Sequence, residues 1–275
     1  MIDFLGHFKI KHADLPYIGI YLGLFFIIVT VVLFTAEIST VILIAVCCLP
    51  VLILLLNYHF YRAGEVFAVK QQQKQQAYFS LFNLIDFKLP IPYMTGWAAT
   101  PELALTIFET IKTDKPEQIV ELGSGISTLI CAYAMNDNDR GALFSFDHDE
   151  KYANKTRTML SNHQIDQRIT IHHAPLKSQN IDGRECIWYD CSNANCPEPI
   201  DMLIVDGPPF ETQDKSRYPA FSYFLPKLSP SAVIIVHDAF REAESAIVHD
   251  WLRGHPEFSK EMIDSEKGIA ILRRG

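Results

Sequence analysis

The residues able to do chemistry cluster in the second half of the chain: Glu121 with Gly123-Ser124-Gly125, then Asp147, Asp206 and the adjacent pair His237-Asp238. Two close glycines let a ligand approach the backbone and the N-terminus of a following helix. An acid such as Asp147, some 24 residues further on, can accept hydrogen bonds from a ribose diol. Glu121, two positions before the first glycine, would repel a pyrophosphate and attract a cationic ligand. Asp206, His237 and Asp238 are candidates to take a proton from a hydroxyl or amine, and His237 has the resting pKa best suited to it. Asp206 and Asp238 could instead share a divalent cation, but oxygen-ligand sites need more donors than two acids, so no metal site is assigned. Against these stand plainer readings: Asp238 as a helix N-cap and Asp206 as a turn former before Gly207.

Such residues need a scaffold that brings strand ends together, and the pattern supplies one. Short apolar runs at Ile119–Leu122, Ala142–Phe146, Arg168–His172, Asp201–Val205 and Ala232–Val236 read as strands. Helical segments at 127–135, 152–160, 220–228 and 242–252 alternate with them, and two final strands near 258–263 and 269–272 flank Glu266-Lys267-Gly268. Alternation of this kind implies an α/β fold, a doubly wound, mostly parallel seven-stranded sheet with an antiparallel last strand. In such sheets ligands bind at the carboxyl ends of strands, where every residue named above falls. Thr100 followed by Pro101 predicts a helix N-terminus, running to about Ile111.

Glu121-Leu122-Gly123-Ser124-Gly125 resembles the first motif of class I S-adenosylmethionine-dependent methyltransferases. The resemblance continues through Ser145-Phe146-Asp147-His148-Asp149, Ala174-Pro175-Leu176, Val205-Asp206-Gly207-Pro208-Pro209, Ser216-Arg217-Tyr218-Pro219-Ala220 and Val236-His237-Asp238-Ala239-Phe240-Arg241. It covers roughly residues 90–275. It implies that Glu121 and the Gly123–Gly125 loop, Ser124 included, line the methionine part of S-adenosylmethionine, and that Asp147 binds the ribose. It implies further that Ala174 and Leu176 border the adenine, that Asp206 faces the transferred methyl, and that Thr95 and Trp97 close over the cofactor. Many members carry an acid where this chain has the apolar Ala174–Leu176 turn, and some use a divalent metal. A nicotinamide-dependent oxidoreductase is the alternative on a related fold. Its fingerprint wants a third small residue where Thr128 stands, and Glu121 is unwelcome to its pyrophosphate. A non-catalytic membrane scaffold is the third reading, against which the intact Glu121, Gly123, Gly125 and Asp147 speak.

Composition separates this domain from what precedes it. The 275 residues are 49% apolar and 20% charged, against about 25% charged in soluble domains. The excess lies at the front: Tyr17–Ala36 and Ile38–Leu56 carry no Asp, Glu, Lys or Arg. At 1.5 Å per residue each run spans about 30 Å, the bilayer core thickness. They are expected to form two transmembrane α-helices joined near Glu37, with Pro50 tolerated inside the second. Residues 1–63 thus form a membrane hairpin, 64–95 a stalk and linker, and 96–275 the methyltransferase-like domain. Lys9, Lys11, Arg62, Lys70 and Lys74 flank the spans, which predicts a two-span protein of the inner or plasma membrane with both termini and the catalytic domain cytoplasmic. The net charge of −8 argues against nucleic acid as a partner. The expected partners are the lipid bilayer and a small-molecule, glycan, lipid-linked or protein acceptor, with a hydroxyl weakly preferred. Cys186, Cys191 and Cys196 have no usual zinc spacing and are expected as free thiols in an inserted loop.

Overall fold

A computed structural model describes residues 15–35, 38–192, 196 and 198–275. Of the turn expected near Glu37-Ile38-Ser39-Thr40, the last three residues are already helical, while Glu37 and the basic flank at Lys9 and Lys11 lie outside the described residues. The chain divides into two compact units, Met1–Val69 and Lys70–Gly275.

The first unit holds α1 (Leu15–Thr35) and most of α2 (Ile38–Leu84), with Pro50 inside α2. Neither the apolar run of α2 nor the glutamine-rich stretch after it contains a strong helix breaker other than Pro50, so the helix continues to Leu84. Among the described residues, one helix is long and apolar enough to cross a membrane, over Ile42–Leu84.

The second unit is the α/β domain. Its elements are α3 (Pro101–Asp114), β1 (Gln118–Leu122), α4 (Ile126–Asn138), β2 (Ala142–Asp147), α5 (Glu150–His163), β3 (Ile169–His173), β4 (Leu176–Ile181), β5 (Arg184–Tyr189), β6 (Ile200–Val205), α6 (Pro219–Phe224), β7 (Leu228–His237), α7 (Glu242–Gly254), β8 (Phe258–Ile263) and β9 (Ile269–Arg274). The main sheet has seven strands in the order β3-β2-β1-β6-β7-β9-β8. The first five are parallel, and β9 is antiparallel to both neighbours. The strand order reverses between β1 and β6, which sets the switch point there. One apolar layer packs α3, α4 and Ile119, Ile204 and Ile235 on one face; the other packs α6, α7 and Val120, Leu203 and Ile234 on the opposite face. Alternation along each strand feeds the two layers.

Thr100 caps α3 as its sequence predicts, its side chain accepting from the Leu103 amide. Three details differ from expectation. The segment after β3 is a two-stranded antiparallel hairpin, β4–β5, where a loop was expected. It carries Trp188 and Tyr189 into the core, because Cys186 and Trp188 alternate with exposed residues on a strand period. The helix expected over 220–228 ends at Phe224 and tightens into a 3₁₀ turn at Leu225–Lys227, since Pro226 cannot continue it. The N-cap of α7 is Arg241, so Asp238 is not a cap. The end of α2 is held on the β8–β9 turn by the Lys70–Asp264 and Lys74–Glu266 ion pairs.

Candidate active site

The carboxyl ends of β3, β2, β1, β6 and β7 lie side by side, stitched by backbone bonds: the Ala174 amide to the Asp147 carbonyl (2.7 Å), Gly123 to Phe146 (2.8 Å) and Asp206 to Leu122 (3.1 Å). Gly123, Asp147, Asp206 and His237 thus form one row, and the sequence-derived candidates divide into two groups along it.

At β1 and β2 the carboxyls are held by uncharged donors. Glu121 is fully buried and sits opposite Ser145 in register. Its Oε2 accepts from Thr128 Oγ1 and Ser145 Oγ, both at 2.6 Å, while among the described residues Oε1 has no hydrogen-bond partner. Burial pushes its pKa up to about 7, against the pull of hydrogen bonds from Ser127, Ser145 and Thr128. Glu121 lies beneath the glycine loop. Thr128, in the place of a third glycine, also accepts from the Gly125 amide at 2.9 Å and so fastens the loop to the buried acid. Gly123 has φ +98°, a conformation that side chains rarely adopt. Asp147 stands at the expected strand end, but both its oxygens are engaged. Oδ2 accepts from the Ser124 amide (3.1 Å) and hydroxyl (2.5 Å), and Oδ1 from the Asp149 amide (3.0 Å). A diol binding at Oδ2 would compete with the Ser124 hydroxyl, while Oδ1 keeps one acceptor position open.

At β6 and β7 the carboxylates are held by buried cations. Arg217, only 3% exposed, donates from Nη2 to Asp238 Oδ2 (2.8 Å) and to the Asp206 carbonyl (2.9 Å), and from Nη1 to the His237 carbonyl (2.8 Å). Its Nη2 is 3.5 Å from Asp206 Oδ1 and its Nε 3.9 Å from Glu244 Oε1. Burial pulls its pKa down, but Asp206, Asp238 and Glu244 outweigh that and hold it above the usual value. His237 Nδ1 lies 2.7 Å from Asp206 Oδ1; with the carboxylate ionised, that nitrogen carries the proton. Burial works to raise the Asp206 pKa, yet His237 and Arg217 leave it below the ordinary carboxylate value. Asp238 adopts φ +59°, a left-handed conformation that costs about 1 kcal/mol in a non-glycine residue and that the ion pairs hold in place.

Asp206, His237 and Asp238 present ligand atoms within 4.8 Å of one another. Their charges are already matched. Asp206, Asp238 and Glu244 face Arg217, Arg241 (3.1 Å from Asp238 Oδ2) and Lys267 (3.9 Å from Asp238 Oδ1). Oδ2 of Asp238 is shared by two guanidinium groups and Oδ1 of Asp206 is taken by His237. Among the described residues Asp238 Oδ1 and His237 Nε2 have no hydrogen-bond partner, but a divalent cation there would meet three positive charges close by, so the charge balance fits an ion-pair network better than an oxygen-donor cage.

The outer residues depart from their expected places. Trp97 stacks on Phe210 (6.2 Å between centroids), the Arg241 guanidinium lies 5.0 Å from the same ring, and Lys267 donates to the Gly96 carbonyl at 3.3 Å. The Thr95–Trp97 turn therefore covers the β6–β7 side, not the glycine loop, because Phe210 and Lys267 anchor it there. Thr95 is exposed. Ala174 points into the core and Leu176 begins β4, so Ala174 can border a ligand only through its backbone. His172 packs against Phe144 and Phe146. Cys186 and Cys191 are free thiols, and burial raises the pKa of Cys186, Cys191 and Cys196. Ser145, Glu244 and Tyr189 were not anticipated. Ser145 was signalled by a lone polar residue in an apolar strand opposite Glu121; Tyr189 had no such signal, since it is buried out of phase with Cys186 and Trp188.

Residues 120–239 match the family model of a methyltransferase domain. Among solved structures, the chain resembles the O-methyltransferase TomG of Streptomyces achromogenes, involved in tomaymycin synthesis and in complex with SAM, with 14% identity, a TM-score of 0.53, and coverage of 74% of this chain and 98% of that one. It also resembles the SAH-bound methyltransferase PaMTH1 of Podospora anserina (13%, TM-score 0.53, 78% and 96% covered) and an O-methyltransferase of Bacillus cereus in complex with SAH (15%, TM-score 0.50, 66% and 84%). At these identities the likeness is one of fold. No curated protein matches the chain.

Proposed function

We propose that this chain is an S-adenosylmethionine-dependent methyltransferase, which the match of residues 120–239 to a methyltransferase domain supports, and that it methylates a hydroxyl group of a membrane-associated acceptor. The observation that carries the acceptor chemistry is the Asp206–His237–Arg217 arrangement at the ends of β6 and β7. Methyl transfer from a sulfonium is an in-line displacement whose donor is already activated, so holding acceptor and donor in line supplies much of the rate. A hydroxyl acceptor also gives up its proton, and a positioned base speeds that. His237 is buried, and its Nδ1 is committed to Asp206. Asp206, its side chain 15% exposed against 2–4% for His237, Asp238, Arg217 and Glu244, is the carboxylate that meets the acceptor. His237 and Arg217 orient it and keep it ionised, and Asp238 completes the ion pairs. The Gly123–Gly125 loop and Asp147 receive the methionine arm and ribose of the donor.

The membrane location rests on sequence and on α1 and α2. Both are helices, and the rings of Tyr21 and His59 lie 6.1 Å apart, as in an antiparallel pair. We propose two spans, Tyr17–Ala36 and Ile38–Leu56, with the methyltransferase domain and both termini on the cytoplasmic side of the inner or plasma membrane, and the bilayer as the surface from which the acceptor is drawn. Incubating native membranes with methyl-labelled S-adenosylmethionine and identifying the labelled product tests the activity and the acceptor. Label on an amine, or none above a strain lacking the chain, would sink the hydroxyl reading. A reporter after Gly275 that is active only outside would overturn the topology.

A further inference from the structure

The β4–β5 hairpin occupies the place between β3 and β6 where an alternating fold would put a helix. Its last residue, Tyr189, is fully buried. The main chain at this point is well tied: Gln179 Nε2 donates to the Tyr189 carbonyl at 2.8 Å, and the Cys191 amide donates to it at 3.0 Å. The phenol is not: among the described residues Tyr189 Oη has no hydrogen-bond partner. Buried hydroxyls normally find one, and leaving one unmade is costly.

Where this hydroxyl sits is fixed by Gly207. A Cβ built at 207 would fall inside contact distance of Tyr189 Oη and 3.4 Å from its Cζ. The phenol therefore ends against the backbone just after Asp206, at the switch point between β1 and β6. Burial first, then the carboxylates of Asp147 and Asp206, keep it protonated well beyond the usual tyrosine range, with Arg217 opposing. The phenol oxygen thus ends against Gly207, directly after the acid assigned to the acceptor, and among the described residues nothing accepts from it.

We propose that Tyr189 is a binding residue of the cofactor site, its hydroxyl donating a hydrogen bond to the nucleoside sulfonium ligand where the ribose joins the methionine arm. This rests on the methyltransferase reading. It also gives the inserted hairpin a task, because β5 is what carries the phenol to the switch point. Gly207 follows from the same geometry: it is the residue that leaves room for the hydroxyl.

The test uses the full chain and S-adenosylhomocysteine, a probe that shares the ribose and the methionine arm. Tyr189→Phe removes the hydroxyl alone. The expected result is about tenfold weaker binding by calorimetry, while the melting temperature of the free protein stays level or rises, because an unpartnered buried hydroxyl has gone. A merely structural role moves these the other way: affinity unchanged, or melting temperature lowered with binding intact, and either overturns the proposal. Gly207→Ala provides the second variant. Alone it should lower the melting temperature, and combined with Tyr189→Phe it should recover stability without recovering affinity. A double variant no more stable than Gly207→Ala alone would show the hydroxyl is not where the proposal needs it. If the unaltered chain binds no S-adenosylhomocysteine, the methyltransferase reading itself fails, an outcome distinct from unchanged affinity in Tyr189→Phe.

Discussion

At the ends of β1 and β2 the acids Glu121 and Asp147 are held by serine and threonine hydroxyls and by backbone amides. At the ends of β6 and β7 the acids Asp206, Asp238 and Glu244 are held by a buried guanidinium and an imidazole. The two ends of one sheet thus solve the same problem, a carboxyl removed from water, by opposite means. Uncharged donors leave Glu121 free to change protonation near neutral pH and Asp147 free to exchange hydrogen-bond partners. Fixed cations deny the second group that freedom and preset the field an acceptor meets, which costs no reorganisation at the moment of reaction.

The sharpest way to break this contrast is to remove the cation. Arg217→Met leaves Asp206, Asp238 and Glu244 close together without their central partner. Breaking a buried pair in this way costs about 3–5 kcal/mol, so the α/β domain should lose that much in chemical denaturation. A loss below about 1 kcal/mol, the scale of an exposed pair, would mean that solvent or Arg241 already neutralises the cluster.

The hydroxyl-held half should answer to pH instead. The Glu121 pKa is raised from 4.5 to about 7. A carboxyl whose folded pKa is raised stabilises most below its unfolded pKa, and that contribution is lost as pH rises through the folded value. Between pH 4.5 and somewhat above 7 the wild type should therefore lose about 3 kcal/mol relative to Glu121→Gln, which stays neutral. Denaturation of both proteins across that range measures it; parallel curves would show that Glu121 is not shifted.

Function should separate the halves as well. Asp206→Asn keeps shape and removes the charge that faces the acceptor. Methyl transfer should fall about a hundredfold, the scale of a lost general base. S-adenosylhomocysteine affinity should stay within about threefold, below 1 kcal/mol. An equal loss in both would move Asp206 into the cofactor half.

How much of this was legible in the sequence follows from the range of each interaction. The parallel strands, the cap at Thr100 and the row of strand-end acids were visible because each depends on a local pattern: apolar runs, a Thr-Pro start, an acid directly after a strand. The β4–β5 hairpin was missed although its two-residue turn, Asp182-Gly183, is a favoured hairpin dipeptide with positive φ at both positions; Lys177, Gln179 and Arg184 to Glu185 dilute the alternation on either side of it. Arg217 was seen but given no partner. Its partners come from β6, β7 and α7, and nothing local says that a surface-type residue will be 3% exposed. Trp97 was expected to close over the cofactor, and its stacking on Phe210, over a hundred residues away, was out of reach for the same reason.

The smallest expected effect is the most direct test of what the hydroxyl-held half is for. Asp147 Oδ2 is occupied by the Ser124 hydroxyl at 2.5 Å and by the Ser124 amide. If the ligand's ribose takes that oxygen, it competes with Ser124. Asp147→Asn should weaken S-adenosylhomocysteine about tenfold, the order of one charge-assisted hydrogen bond. Ser124→Ala should move affinity the other way, by about two- to threefold, because the competitor is gone while the loop amide remains. Calorimetry on the two variants gives opposite signs only if Asp147 exchanges an internal partner for the ligand. Weaker binding in both would mean that Ser124 itself touches the cofactor and that the Asp147–Ser124 bond persists in the complex. The first half would then be as preset as the second, held by hydroxyls rather than by charge.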